Sequence, residues 1–184
     1  MCLAADVYPS DDAVGGMVVF MIILGIDPGL AIVGWGVICK DKGRVLPVAY
    51  GSINTPAHTP VEERLSMIYD DMNRIILKYK PDEMAIEELF FNTNTTTGIS
   101  VAEARGVILL AARNNGVKIS EYTPLQVKQA VVGYGLADKK QVIAMVTNLL
   151  KLQKPPKPDD TADAIAIALC HAQSSSSLLS NYIK

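Results

Sequence analysis

Hydrophobic positions along the 184-residue chain change period several times, and each change marks an element. Met21–Asp27 is an apolar run that stops at Asp-Pro-Gly, a turn signal. Ile32–Lys40 reads as a second strand, Asp41-Lys42-Gly43 as a hairpin turn and Arg44–Ile53 as a third strand. Strands joined this tightly must run antiparallel. In Val61–Lys80 the apolar residues Leu65, Ile68, Met72, Ile75, Ile76 and Tyr79 keep a helical period, which Pro81 closes. Glu83–Glu87 is a short strand, Asn92–Gly98 a polar loop and Ile99–Asn114 a helix that Asn115-Gly116 ends. Val117–Tyr122 is the fifth strand. Helices follow at Leu125–Val132, at Lys139–Leu150 with Asp138 as cap, and at Asp159–Gln173.

This order predicts an α/β fold, a mixed five-stranded sheet with three antiparallel strands, then parallel ones, flanked by helices. Residues 21–173 form the domain. Residues 1–20 read as a loose extra segment, with Met17 or Met21 as a natural beginning, and 174–184 as a Ser-rich tail. The apolar stretch Met17–Ile26 is about half as long as a membrane span and has no basic residues before it.

Composition narrows the class. The chain is 49% hydrophobic and 20% charged, which excludes disorder and collagen. Cys2, Cys39 and Cys170 are far apart and odd in number, so neither zinc ligation nor a disulfide framework is indicated, and a cytoplasmic location fits. His58 and His171 occupy no ligand spacing and read as surface or helix-packing residues. Overall charge is −2, yet residues 101–158 hold nine basic residues against three acidic, a net +6. Such a stretch can hold phosphates, although scattered solubilising lysines would look the same.

Four carboxylates stand in unusual places. Asp27 ends the first strand, Glu87 ends the fourth, and Asp160 and Asp163 lie three apart on the first turns of the last helix. Adjacent parallel strands would bring Asp27 and Glu87 together, at the strand ends where α/β sheets bind ligands. Gathered carboxylates repel unless a cation lies between them, and an all-oxygen set suits Mg2+ or Mn2+. Two such ions can support phosphodiester hydrolysis. Each residue also has a plainer reading. Asp160 and Asp163 favour a helix N-terminus by charge alone, and Asp27 suits a turn. Glu87, ending an apolar strand, is harder to place without a partner.

The motifs Ile23-Leu24-Gly25-Ile26-Asp27-Pro28-Gly29, Gly34-Trp35-Gly36 and Ala85-Ile86-Glu87-Glu88-Leu89-Phe90-Phe91 resemble the RuvC family of Holliday junction resolvases. So do Glu103-Ala104-Arg105-Gly106, Gln126-Val127-Lys128-Gln129, Val131-Val132-Gly133-Tyr134-Gly135 and Asp160-Thr161-Ala162-Asp163-Ala164, all in matching order over about 21–173. The resemblance implies an RNase H-like fold and a homodimeric Mg2+-dependent endodeoxyribonuclease that nicks four-way DNA junctions symmetrically in recombination and repair. It places the catalytic, metal-binding carboxylates on Asp27, Glu87, Asp160 and Asp163, with two ions per site. DNA contacts fall on Phe90, Lys128 and Lys139, and a branch-migration complex of RuvA and RuvB type is the implied partner. Trp35 stands where many relatives have Tyr.

Three other readings compete. A non-catalytic junction-binding protein would lack a carboxylate, and all four are present. An actin-like nucleotide-binding domain would need a second glycine-rich turn and a second domain. An RNase H-like nuclease acting on RNA would not need Phe90-Phe91 or the Gln126–Gly135 region.

Overall fold

A computed structural model describes residues 20–89 and 95–175. Its five strands are β1 (Phe20–Asp27), β2 (Ile32–Asp41), β3 (Arg44–Asn54), β4 (Glu83–Glu87) and β5 (Lys118–Tyr122). They form one sheet in the order β3-β2-β1-β4-β5. β1, β2 and β3 pair antiparallel, and β4 runs parallel to both β1 and β5. The mixed sheet expected from the sequence is therefore present. The β2–β3 turn is Lys42-Gly43, both at positive φ, as a two-residue hairpin turn requires.

Both sheet faces are covered, so the strands are apolar on both sides. On β1, Ile22, Leu24 and Ile26 point into one core and Ile23 into the other. Helices α1 (Val61–Tyr79) and α2 (Thr95–Asn114) cover the first face with Ile68, Met72, Ile76, Ile108 and Ala111. On the second face lie α3 (Pro124–Val132), α4 (Lys139–Leu149) and α5 (Asp159–Ser174), through Val127, Val142, Val146 and Ile165. β3 forms one sheet edge. Pro47 and a register shift opposite Val37/Ile38 interrupt its ladder, which discourages pairing with a further strand.

Most predicted ends hold within a residue or two. β1 starts at Phe20 and α5 runs to Ser174. The predicted loop Asn92–Gly98 needs correction. Its Thr95–Gly98 part is the first turn of α2, while 92–94 lie outside the described residues. A helix's first turn has no intrahelical partners for its N–H groups and tolerates polar residues, so its apolar period starts late. α1 ends at Lys80, in the left-handed conformation, before Pro81. Reciprocal capping boxes start α3 (Thr123 with Gln126) and α4 (Asp138 with Gln141), the second at the predicted cap.

α5 sits unusually close to the sheet because three glycines lie under it. A Cβ at Gly25 would come 2.7 Å from Ala168 N, and one at Gly36 2.6 Å from Ile165 Cγ1. At Gly34 it would overlap the Asp160 carbonyl and lie 3.1 Å from Thr161 N. Thr161, fully buried, donates from Oγ1 to Gly51 O at 3.1 Å and ties the start of α5 to β3.

Candidate functional site

Sheet register brings the four carboxylates to one end of the molecule. Ile26 pairs with Ile86 across the parallel β1–β4 ladder, so the next residues, Asp27 and Glu87, end neighbouring strands. Gly34 pairs with Asp27 on the other side of β1 and underlies Asp160, which carries the start of α5 to the same strand end. The turn after Asp27 is fixed from below. Thr55 donates from Oγ1 to Leu30 O at 2.6 Å, and Arg64 Nε donates to that hydroxyl at 2.7 Å.

The electrostatics reflect this crowding. Burial, then Glu87, Asp163 and Asp160, push the Asp27 carboxyl up to about 8, against a smaller opposing effect of Lys139. Glu87 is raised by burial and by Asp163, with Lys128 opposing. Asp163 is also raised, chiefly by burial, although Lys139 acts against it. Such a cluster holds its full negative charge only with positive charge among its members.

Lys139 supplies some of that charge. Its Nζ lies 3.0 Å from Asp163 Oδ2 and 3.9 Å from Asp159 Oδ2. Partial burial lowers the Lys139 pKa, but Asp163 and its acidic neighbours outweigh this and raise it. Lys128 faces the same place from α3. Glu87, Lys128, Lys139 and Asp163 line one open pocket floored by Val127, Val142 and Ile167. Among the described residues no three His, Cys, Asp or Glu side chains form a ready metal cage, and Asp163 is paired with Lys139. The donor set is nonetheless all oxygen, and its crowding is what a divalent cation relieves, so these residues fit such an ion.

Of the predicted site residues, Asp27, Glu87, Asp160, Asp163, Lys128 and Lys139 share this end of the sheet. Phe90 lies outside the described residues. Sequence reasoning gave no role to Arg105. Its side chain is 13% exposed, its Nε donates to Glu87 O at 3.2 Å, and its guanidinium pairs with Glu121. It braces the end of β4 from behind. The one signal for it is an arginine in the otherwise small and apolar run Ala104–Leu110. Of the two readings open for His171, surface or helix packing, the structure gives packing, with the side chain buried. Its Nε2 lies 2.7 Å from Oε2 of Glu83, at the far end of β4 from Glu87, and its Nδ1 lies 2.7 Å from Tyr122 Oη.

Comparison with known proteins identifies the family. The family model described as "Crossover junction endodeoxyribonuclease RuvC" matches residues 23–171. The protein of that name from Desulfitobacterium hafniense is 61% identical over 154 residues, which is 84% of this chain and 93% of the relative. Its Clostridioides difficile counterpart is 56% identical over 154 residues, 84% and 91% of the two chains. The solved structure of Thermus thermophilus RuvC in complex with a Holliday junction substrate superimposes with a TM-score of 0.79 at 36% identity, covering 84% of this chain and 94% of that one. The four-carboxylate strand end, the RNase H-like sheet and these matches lead to one conclusion: the chain belongs to the RuvC family of crossover junction endodeoxyribonucleases.

Proposed function

We propose that this protein resolves four-way DNA junctions by hydrolysing one phosphodiester in each of two symmetry-related strands, with Asp27, Glu87, Asp160 and Asp163 as its catalytic carboxylates. The observation that carries the reading is the convergence of β1, β4 and α5 at one sheet end, where Glu87 and Asp163 line a pocket together with Lys128 and Lys139. Family membership implies a divalent metal. We assign it as two Mg2+ ions, with Mn2+ as a substitute, held by the four carboxylates. Ions held by these carboxylates would supply activation of the attacking water and stabilisation of the leaving oxygen. The chain's own part is positional. Asp27 and Glu87 are fixed by paired strands, and Asp160 and Asp163 by a helix seated on glycines, so the ligand oxygens need little ordering when substrate arrives. Lys128 and Lys139 draw the phosphate into the pocket, and Phe90 is assigned to stacking on a base at the opened junction centre.

Symmetric nicking needs two sites, and a face of α2 supports a homodimer. Ile99, Glu103, Gly106, Leu110 and Arg113 follow a helical repeat and are all exposed. Gly106 has open space over it, so a second helix can approach closely. In an antiparallel pair centred near residue 108, Glu103 meets the partner's Arg113 and Leu110 covers the partner's Gly106. The nuclease unit is residues 21–173, acting with a branch-migration complex of RuvA and RuvB type, in the cytoplasm where bacterial DNA lies. No helix among the described residues is long and apolar enough to cross a membrane.

The test is Asp27→Asn, incubated with a synthetic four-way junction and Mg2+ beside linear duplex and RNA hairpin controls. Cleavage is expected to vanish while junction binding persists, because the basic rim is untouched. Retained cleavage removes Asp27 from the site. Wild-type cleavage of the RNA hairpin in preference to the junction overturns the substrate.

A further inference from the structure

The connection between α3 and α4 displays apolar side chains that the core does not use. Leu136 is 77% exposed, Leu125 60% and Tyr134 55%. The segment that displays them is well anchored. Gly133 ends α3 in the left-handed conformation, and Gln129 Nε2 donates to its carbonyl at 2.9 Å. Ala137 N donates to Tyr134 O at 3.2 Å, Ala137 is buried, and Asp138 caps α4. In the middle, a Cβ at Gly135 would lie 3.1 Å from Leu125 Cγ, so the connection rests directly on Leu125. Tyr134 and Leu136 thus flank the glycine that rests on Leu125, and the three exposed side chains give this connection an apolar surface of the kind that marks an interaction site.

Its position says what it touches. Leu125 lies one helical turn before Lys128, and Leu136 lies three residues before Lys139. Both lysines line the pocket with Glu87 and Asp163. Lys140, next along the chain from Lys139, is exposed as well. A strand whose phosphate is drawn to these lysines brings its neighbouring sugars and bases against this apolar surface. The faces of the bases are apolar, and leucine and other apolar side chains are used elsewhere as wedges that enter between those faces and part a base step.

We propose that Leu136 and Tyr134, backed by Leu125, form an apolar wedge against the base step beside the phosphate in the pocket, so that cleavage depends on how easily that step opens. The proposal rests on the reading of the pocket as the cleavage site. Pyrimidine–purine steps unstack most readily, so they are the steps the wedge favours.

The experiment uses the full chain with Mg2+ and a panel of four-way junctions identical except at the base step flanking the cut (TA, CA, AA, GC). Single-turnover rates are compared for wild type, Leu136→Ser, Tyr134→Ser, the double variant and Lys128→Ala. Wild-type rates are expected to spread about tenfold across the panel, and the double variant to narrow the spread to about twofold by slowing the flexible steps. Its melting temperature is expected to be unchanged, since both side chains are exposed. Lys128→Ala is expected to slow every junction by one common factor. A double variant that keeps the wild-type spread, that slows all junctions equally, or that sediments as a different oligomer overturns the wedge. Cleavage retained by Asp27→Asn, measured on the same panel, would instead overturn the pocket as the cleavage site.

Discussion

Gly34→Ala tests the seat that brings α5 to the sheet. Gly34 is paired with Asp27, and its missing side chain makes room for the Asp160 carbonyl. Carbon and oxygen atoms pack at about 3.5 Å, so a methyl group here forces the start of α5 outward by more than about 1 Å. The obstructing atoms are backbone, so no rotamer change relieves the clash. Thr161 is buried and tied to Gly51, which resists the shift. Overpacking of this kind costs about 1–3 kcal/mol, or about 3–10 °C in melting temperature for a chain of this size. The larger effect is on chemistry, because Asp160 and Asp163 move with the helix while Asp27 and Glu87 stay on their strands. Misplacement by about 1 Å is worth about 100-fold in rate. Single-turnover cleavage of a four-way junction, run well below both melting temperatures, is therefore expected to fall about 100-fold with binding largely kept. Gly36→Ala is the graded comparison. It meets Ile165 Cγ1, a side-chain atom able to turn aside, and is expected to lose less. A folded Gly34→Ala protein cutting at the wild-type rate would refute the argument that this glycine sets the spacing of the carboxylates.

Three further outcomes are expected. Lys128→Ala should weaken junction binding and reduce the slope of log affinity against log salt by about one, while Lys139→Ala, whose ammonium is already paired with Asp163, should change that slope less; titrations at several salt concentrations decide. Gly106→Ala should stabilise the isolated subunit by up to about 1 kcal/mol through helix propensity yet loosen the dimer, and sedimentation showing an undisturbed dimer would move the two-fold axis off α2. For His171, burial holds the imidazole pKa below its usual value, and Glu83 offsets only part of this. The unfolded chain therefore takes up the proton first as pH falls, and stability contributed by neutral His171 is complete above about 6.5 and drains below it. Burial would raise Glu83, but Lys118 and His171 outweigh it and lower its pKa, so its contribution drains at still lower pH and in the same direction. Melting temperature should drop between pH 7.5 and 5.5 in the wild type and fall less steeply in His171→Gln.

β1 was legible as a short apolar run stopped by Asp-Pro-Gly, the hairpin by its Asp41-Lys42-Gly43 turn, and α1 by the helical period that sets Ile68, Met72 and Ile76 on one side. The meeting of Asp27 and Glu87 was legible too, since adjacent parallel strands must align their ends. Other features depend on packing between distant segments and leave no local trace. Gly25, Gly34 and Gly36 read as motif or strand glycines until a helix is laid over them. Lys139 reads as a DNA-facing lysine, yet the crossing of α4 and α5 sets it against Asp163. Arg105 reads as a surface charge on α2, and only the end of β4 behind it shows what it holds. The start of α2 was missed because the polar run Thr95–Gly98 carries no apolar period.

The helix that supplies Asp160 and Asp163 is buried continuously from Ala164 to Ala172, and it packs on β1, which supplies Asp27. Hydrogen exchange reads the consequence, since amides in such a segment open only when the whole domain does. The slowest-exchanging amides should therefore be those of α5 and β1, with rates set by global unfolding. Heat should then remove nuclease activity and structure in a single transition, leaving no temperature at which the domain persists with its carboxylates dispersed.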